Sequence, residues 1–241
     1  MLAASVERIL GLLDGPAQVL DVGAWAKPFR RADVVIDRMP YGTRGVLGSD
    51  GPGPERFSED TWIVRDICDR EPWPFRDGEF DFAVCSHTLE DVRDPLWVCS
   101  ELARVAGAGY IETPSRLEEQ SYGFQGPWVG WGHHHWLVEA HGSHIEFAFK
   151  HHVMHGRETD HFPAGFRDRL SDAERVTAFF WSGSFSASER AFEEAPDLDT
   201  YLSSFVTQEM ARRGLVRPAP VRPPLPRRVI DRLVRGAVGP R

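Results

Sequence analysis

Cysteine, lysine and long apolar runs are the scarce features of this 241-residue chain. The three cysteines, Cys68, Cys85 and Cys99, are odd in number and lack the short CxxC spacing, which excludes a disulfide framework or a zinc knuckle. Each sits in an apolar run, so buried free thiols are expected. Lysine occurs only at 27 and 150, the other basic residues being Arg. No stretch approaches the roughly 18 apolar residues of a membrane helix, because the longest uncharged one, 120–138, is full of Gly and His. The start MLAASVERIL lacks a basic region followed by an apolar core, so no secretory signal and a cytoplasmic location are expected. A basic footprint is missing as well. The net charge of −8 argues against nucleic-acid binding.

Charge is unevenly spread. From Arg212 to Arg241 nine Arg face one acid, Asp231, which leaves a basic tail on an acidic body. RPAPVRPPLPRR at 217–228 reads as a proline-rich extended linker, and 227–235 as a short basic amphipathic helix. Such a tail has three docking options: anionic lipid, a protein partner, or the acidic body. The expected organisation is one domain over 1–216, with a His/Trp-rich insertion at 117–165 on the substrate side, and a Pro/Arg-rich tail at 217–241.

Apolar periodicity predicts a helix over 5–13 and strands over 18–22, 33–37, 62–67, 80–85 and 110–113. Asp94 and Pro95, an N-cap followed by proline, open a helix with Val98, Leu102 and Val105 on one side. Further along, 171–175 reads as helical, 176–181 as a strand completing the sheet, and 187–195 and 198–211 as two helices. Apolar strands alternating with helices imply a doubly wound, mostly parallel α/β sheet. Ligands of such sheets sit beyond the carboxyl ends of the strands. The residues there are Asp21 to Ala24, Asp37 with Arg38, Asp66 with Ile67, and Ser86 with His87.

VLDVGAWAKPF at 19–29, DVVID ending at Asp37, DICDREPWPFRDGEFDFAVCSHTLEDVRDP at 66–95 and ELARVAGAGYIETPS at 101–115 together resemble the class I S-adenosylmethionine-dependent methyltransferases. The likeness is to the broad group acting on small molecules, and spans about 17–116. It implies a Rossmann-like fold and S-adenosylmethionine as cofactor, with S-adenosylhomocysteine as product. It also implies that Gly23 and Ala24 let the backbone approach the methionine part, and that Asp21 orients this loop or meets the ammonium group. By the same likeness Asp37, beside Arg38, takes the ribose hydroxyls. Asp66 takes the adenine amino group, Ile67 and Cys68 cover the ring, and Ser86 closes the fourth strand. The family's alternate glycines are replaced here by Ala24, Trp25 and Ala26, and HTLEDV carries Asp91 where His is commoner.

Nine of the ten histidines lie between 133 and 161. WGHHHWLVEAHGSHIEFAFKHH reads as a hairpin turning at Gly142 and Ser143, pairing His141 with His144, Glu139 with Glu146, Trp136 with Phe149, His134 with His151 and His133 with His152. Both a place within the main sheet and an inserted lid satisfy this pattern. His87, His133, His134 and His135 are the candidates for a general base, His134 first, because imidazole titrates near working pH. A metal site and a structural role for the cluster are alternatives, and no metal ligands are assigned.

The leading expectation is an enzyme that methylates a small hydroxylated or sugar-like molecule on oxygen. Tyr122, Phe124, Trp128, Trp131 and Trp136 would supply stacking faces for a ring. Two other readings remain: metal-dependent chemistry at the His cluster on the same fold, and a binding or scaffold module without catalysis.

Overall fold

The computed structural model describes residues 1–13 and 15–216, so the expectations for 217–241 lie outside the described residues. A six-stranded sheet holds β1 (Val19–Val22), β2 (Val34–Asp37), β3 (Trp62–Val64), β4 (Phe82–Ser86), β5 (Ala108–Pro114) and β8 (Val176–Ser182). Their spatial order is β3-β2-β1-β4-β5-β8, parallel except for β8, which runs antiparallel to β5 at the edge. The order reverses between β1 and β4. Their carboxyl ends therefore diverge into a crevice at Gly23 and His87.

One face of the sheet packs on α2 (Pro95–Val105). The Asp94 side chain caps that helix by accepting from Trp97 N at 3.1 Å, and Val98, Cys99, Leu102 and Val105 are buried. The other face packs on α1 (Ala3–Leu12), through Val6 and Ile9, and on the rings of Phe29 and Phe57. The expected alternation of strands and helices is only partly realised. Among the described residues no α-helix joins β1 to β2, β2 to β3, or β3 to β4. Prolines 28, 40, 52, 54, 72 and 74 remove backbone donors there, and aromatic rings on irregular loops do the covering that helices would have done.

Strand β3 stops at Val64, short of the expected Ile67. Arg65 N donates to Asp37 O at 2.8 Å, and the Asp66 carboxylate then accepts Cys68 N at 3.0 Å, turning the chain. The three cysteines are free and buried.

The hairpin forms in the expected register: β6 (Trp136–His141) pairs with β7 (His144–Phe149), His141 opposite His144 and Trp136 opposite Phe149. Gly142, at φ +62°, takes the first turn position. The ladder ends before the expected pairs His134–His151 and His133–His152. Beyond Phe149 the chain turns into a 3₁₀ segment (His152–His155), where the His151 ring accepts from Val153 N. The hairpin joins neither the main sheet nor a detached lid. It forms a second sheet, β6-β7-β9, whose Val138, Ile145 and Phe147 pack into the main core.

Strand β9 (Ser186–Arg190) corrects the helix expected over 187–195. Its residues are good helix formers, but the open edge of β7 offers backbone partners and Ala187 packs inward beside Ile145; tertiary pairing overrides propensity. The final helix, α4 (Ala195–Arg212), packs Leu202 against Leu137 and Ala148 on the reverse of the hairpin.

Candidate functional site

At the switch point lies a cavity of about 1110 Å³, lined by strand-end residues on one side and by the segment 131–135 on the other. Its volume lies at the upper limit of ordinary ligand sites, roughly 300–1000 Å³, enough for two ligands side by side.

The strand-end half is built around Asp37. Its carboxylate accepts Trp25 N at 2.8 Å and Met39 N at 2.7 Å, so the acid fixes the loop after β1 while lining the cavity; burial raises its pKa. Gly23, Arg38, Asp66, Ile67 and Cys68 line the same half. Gly23 has φ +71°, and a Cβ on it would stand 2.3 Å from Thr88 Cγ2. The glycine therefore makes room for Thr88, whose hydroxyl donates to Gly23 O at 3.1 Å, as well as for any ligand. Asp66 accepts from Arg93 at 2.6 Å; burial pushes its pKa up, but the bonds from Arg93 and Cys68 N hold it below the usual range.

Asp21 and Ala24 stand behind the cavity wall, both buried. Asp21 accepts Phe29 N at 2.7 Å and so shapes the same loop from below, its pKa pushed up to about 7 by burial. Ser86 ends β4 without lining the cavity.

His87 lies at φ +52°, a left-handed conformation rare outside glycine, which turns its ring between two buried acids. Nε2 is 3.2 Å from Glu112 and Nδ1 is 3.6 Å from Glu90. Burial alone would lower its pKa, yet the two carboxylates raise it to about 9. Glu112 in turn falls to about 2: burial pushes it up, but His87, Leu2 N and the Tyr110 hydroxyl stabilise its charge. An imidazolium clamped this way has no free nitrogen to take a proton at neutral pH.

His134 is arranged differently. Nδ1 lies 2.7 Å from Glu119 Oε1, and Nε2 has no partner among the described residues. Glu119 is fully buried, and its other oxygen pairs with Lys150 Nζ at 2.5 Å; Lys150 also donates to Trp131 O. An ionised carboxylate can only accept, so Nδ1 is the nitrogen that donates to Glu119 and Nε2 is the one left without a protein partner. Trp131 stacks on His134 with ring centroids 5.8 Å apart and donates to Glu118, which also accepts Arg167 at 2.9 Å. His133 and His135 line the cavity but are exposed.

Of the aromatic residues read as stacking faces, Trp131 alone lines the cavity; Trp136 packs on Phe147 and Phe149, Tyr122 on His161, and Trp128 on His155. Among the described residues no group of three or more His, Cys, Asp or Glu is placed to hold a metal ion. Sequence reasoning missed Glu90, Glu112, Glu118, Glu119 and Lys150. A glutamate inside the apolar strand GYIETP, and one of two lysines in an Arg-rich chain, were the available signals.

Residues 54–110 match the family described as "Methyltransferase domain". No curated protein matches the chain. Solved structures similar to it include a methyltransferase candidate from Bacillus halodurans (21% identity, 47% of this chain and 51% of that one, TM-score 0.35). Others are S-adenosylmethionine-dependent methyltransferases from Aquifex aeolicus (20%, 47% and 64%, 0.32) and Mesorhizobium loti (17%, 48% and 56%, 0.32). The chain thus spans about half to two thirds of the length of these relatives. The family match lies within the segment that carries the motif resemblance, and the strand order is that of a Rossmann-like fold.

Proposed function

We propose that this chain is a class I S-adenosylmethionine-dependent methyltransferase that transfers a methyl group to the oxygen of a small hydroxylated or sugar-like molecule. The cofactor suits the residues present: an acid at the end of β2 for hydroxyl groups, apolar Ile67 and Cys68 beside Asp66, and a glycine turn at the switch point. When bound, it supplies a methyl group already activated as a sulfonium.

What remains for the protein is to align the acceptor and remove its proton. The observation that carries the oxygen reading is the Glu119–His134 pair on the cavity wall. A neutral imidazole with Nδ1 held by a carboxylate is a general base for a hydroxyl proton, and Nε2 is the atom that takes it. His87, as an imidazolium, holds the floor of the site between Glu90 and Glu112 and orients rather than abstracts. In this reading residues 1–216 act as one unit, with 117–165 forming the acceptor side.

Calorimetric titration with S-adenosylmethionine and S-adenosylhomocysteine tests the proposal, with Asp37→Ala as control. Micromolar binding lost in the variant supports it. Absence of binding by the wild-type protein overturns it in favour of a scaffold role.

A further inference from the structure

Four side chains continue the acceptor wall beyond His134 in an unbroken series. Trp131 Nε1 donates to Glu118 Oε1 at 3.2 Å, Arg167 donates to the same oxygen at 2.9 Å, and Arg175 lies against the Arg167 carbonyl at 3.4 Å. All four line the cavity.

The charges on this wall are poorly matched. Among the described residues the Arg175 guanidinium has only two polar contacts, both at the limit of useful length: the Arg167 carbonyl at 3.4 Å and Asp172 at 3.5 Å. Asp172 is 86% exposed, so it sits in water and screens the guanidinium weakly. The Nε atoms of Arg167 and Arg175 are both buried without an acceptor, and Glu118 Oε2 is buried without a donor, so the groups that a ligand can reach here are the terminal guanidinium nitrogens. Guanidinium groups bind oxyanions through paired N–H donors, and here the terminal nitrogens of Arg175, held only loosely, line the cavity beside Arg167.

We infer that Arg167 and Arg175 form an anion subsite, and that the acceptor molecule carries a carboxylate or phosphate in addition to the hydroxyl presented to His134. This deepens the methyl-transfer reading and rests on it for the role of the bound molecule. The subsite itself stands on the arginines. Trp131, between the anion subsite and His134, gives the intervening ring or carbon chain a flat apolar face.

The test compares glucose, glucuronate and glucose 6-phosphate, which share hydroxyl groups and differ in charge, together with inorganic phosphate. Each is titrated by calorimetry into the full chain, with and without saturating S-adenosylhomocysteine. We expect glucuronate or glucose 6-phosphate to bind at least tenfold more tightly than glucose, the preferred one naming carboxylate or phosphate as the group. Arg175→Gln should bring the ratio within twofold, and Arg175→Lys should restore part of it. Equal binding of glucose, failure of all three anions to bind, or a ratio that survives both Arg175→Gln and Arg167→Gln in folded protein would overturn the inference. S-adenosylhomocysteine binding is read separately. Its failure would remove the methyl-transfer reading while the anion preference, measured without it, still decides the subsite.

Discussion

Nδ1 of His134 and Oε1 of Glu119 lie 2.7 Å apart, and the carboxylate is completely closed to solvent. A hydrogen bond in that setting selects one tautomer of the ring, as in any carboxylate-oriented histidine. Replacing His134 by Ala is expected to lower turnover of an accepted hydroxyl substrate by about 10²–10⁴-fold while leaving S-adenosylhomocysteine affinity within twofold. Nitrogen NMR shifts of His134 should report the Nδ1–H tautomer in the wild type, and a mixture in Glu119→Gln. Retained turnover in His134→Ala would remove it as the base.

Lys150 is 3% exposed and faces Glu119 across 2.5 Å, so neither charge has water to fall back on. Removing the ammonium by Lys150→Met is expected to destabilise the fold by about 3–5 kcal/mol, because the Glu119 charge is left uncompensated. The double variant Lys150→Met, Glu119→Leu should recover much of that loss, and it should still lose the tautomer preference of His134. Chemical denaturation of the two variants measures the stability changes, and nitrogen NMR of His134 the tautomer.

His87 titrates near 9, well above its ordinary value of 6.5. A raised folded-state pKa means that the folded form binds the proton more tightly. The associated stability is fully present below about pH 6.5 and is lost as pH rises through about 9. Glu112, held near 2, has the opposite sense: its contribution is present above its ordinary 4.5 and fades as pH falls toward 2. Proton NMR titration should find the His87 transition at least one unit above 6.5, and His87→Asn should flatten the alkaline side of the stability profile. An unshifted transition would contradict the clamp.

Gly23 combines φ +71° with a Thr88 side chain that leaves no room for Cβ. Gly23→Ala is expected to cost at least about 1–2 kcal/mol from the backbone conformation alone. Adding Thr88→Gly should relieve the steric part but not the strain. Thermal melts separate the two contributions, and a melting temperature unchanged by Gly23→Ala would show that the turn adapts.

The fold was legible where its signals are local. Asp94 and Pro95 fix the start of α2, and Gly142 fixes the hairpin register. Apolar runs ending in Asp locate the ends of β1 and β2, and hence the crevice. What could not be read depends on partners distant in sequence. Ser186–Arg190 became a strand because β7 offered an edge, and loops around Phe29 and Phe57 replaced helices as cover. The same holds for the site. His134 was legible as a candidate, but the reason that singles it out, Glu119 beside it and Lys150 behind, spans 31 residues of chain. Nothing in the pattern HHH distinguishes the three rings.

Asp21, on β1, supports the loop that follows this strand from behind the cavity wall. Its carboxylate is buried, accepts Phe29 N at 2.7 Å and has a pKa pushed up to about 7 by the loss of water around it. Since the folded state favours the protonated acid, stability falls as pH rises from about 3.8 toward 7. Asn keeps an oxygen for Phe29 N and carries no charge to desolvate. Asp21→Asn is therefore expected to be more stable than wild type by roughly 1–3 kcal/mol at pH 8, with the gap closing near pH 4. If Asp21 instead contacts the cofactor directly, the variant should lose S-adenosylmethionine affinity as Asp37→Ala does. Calorimetry beside denaturation at the two pH values distinguishes a carboxylate that supports the loop from one that binds the ligand.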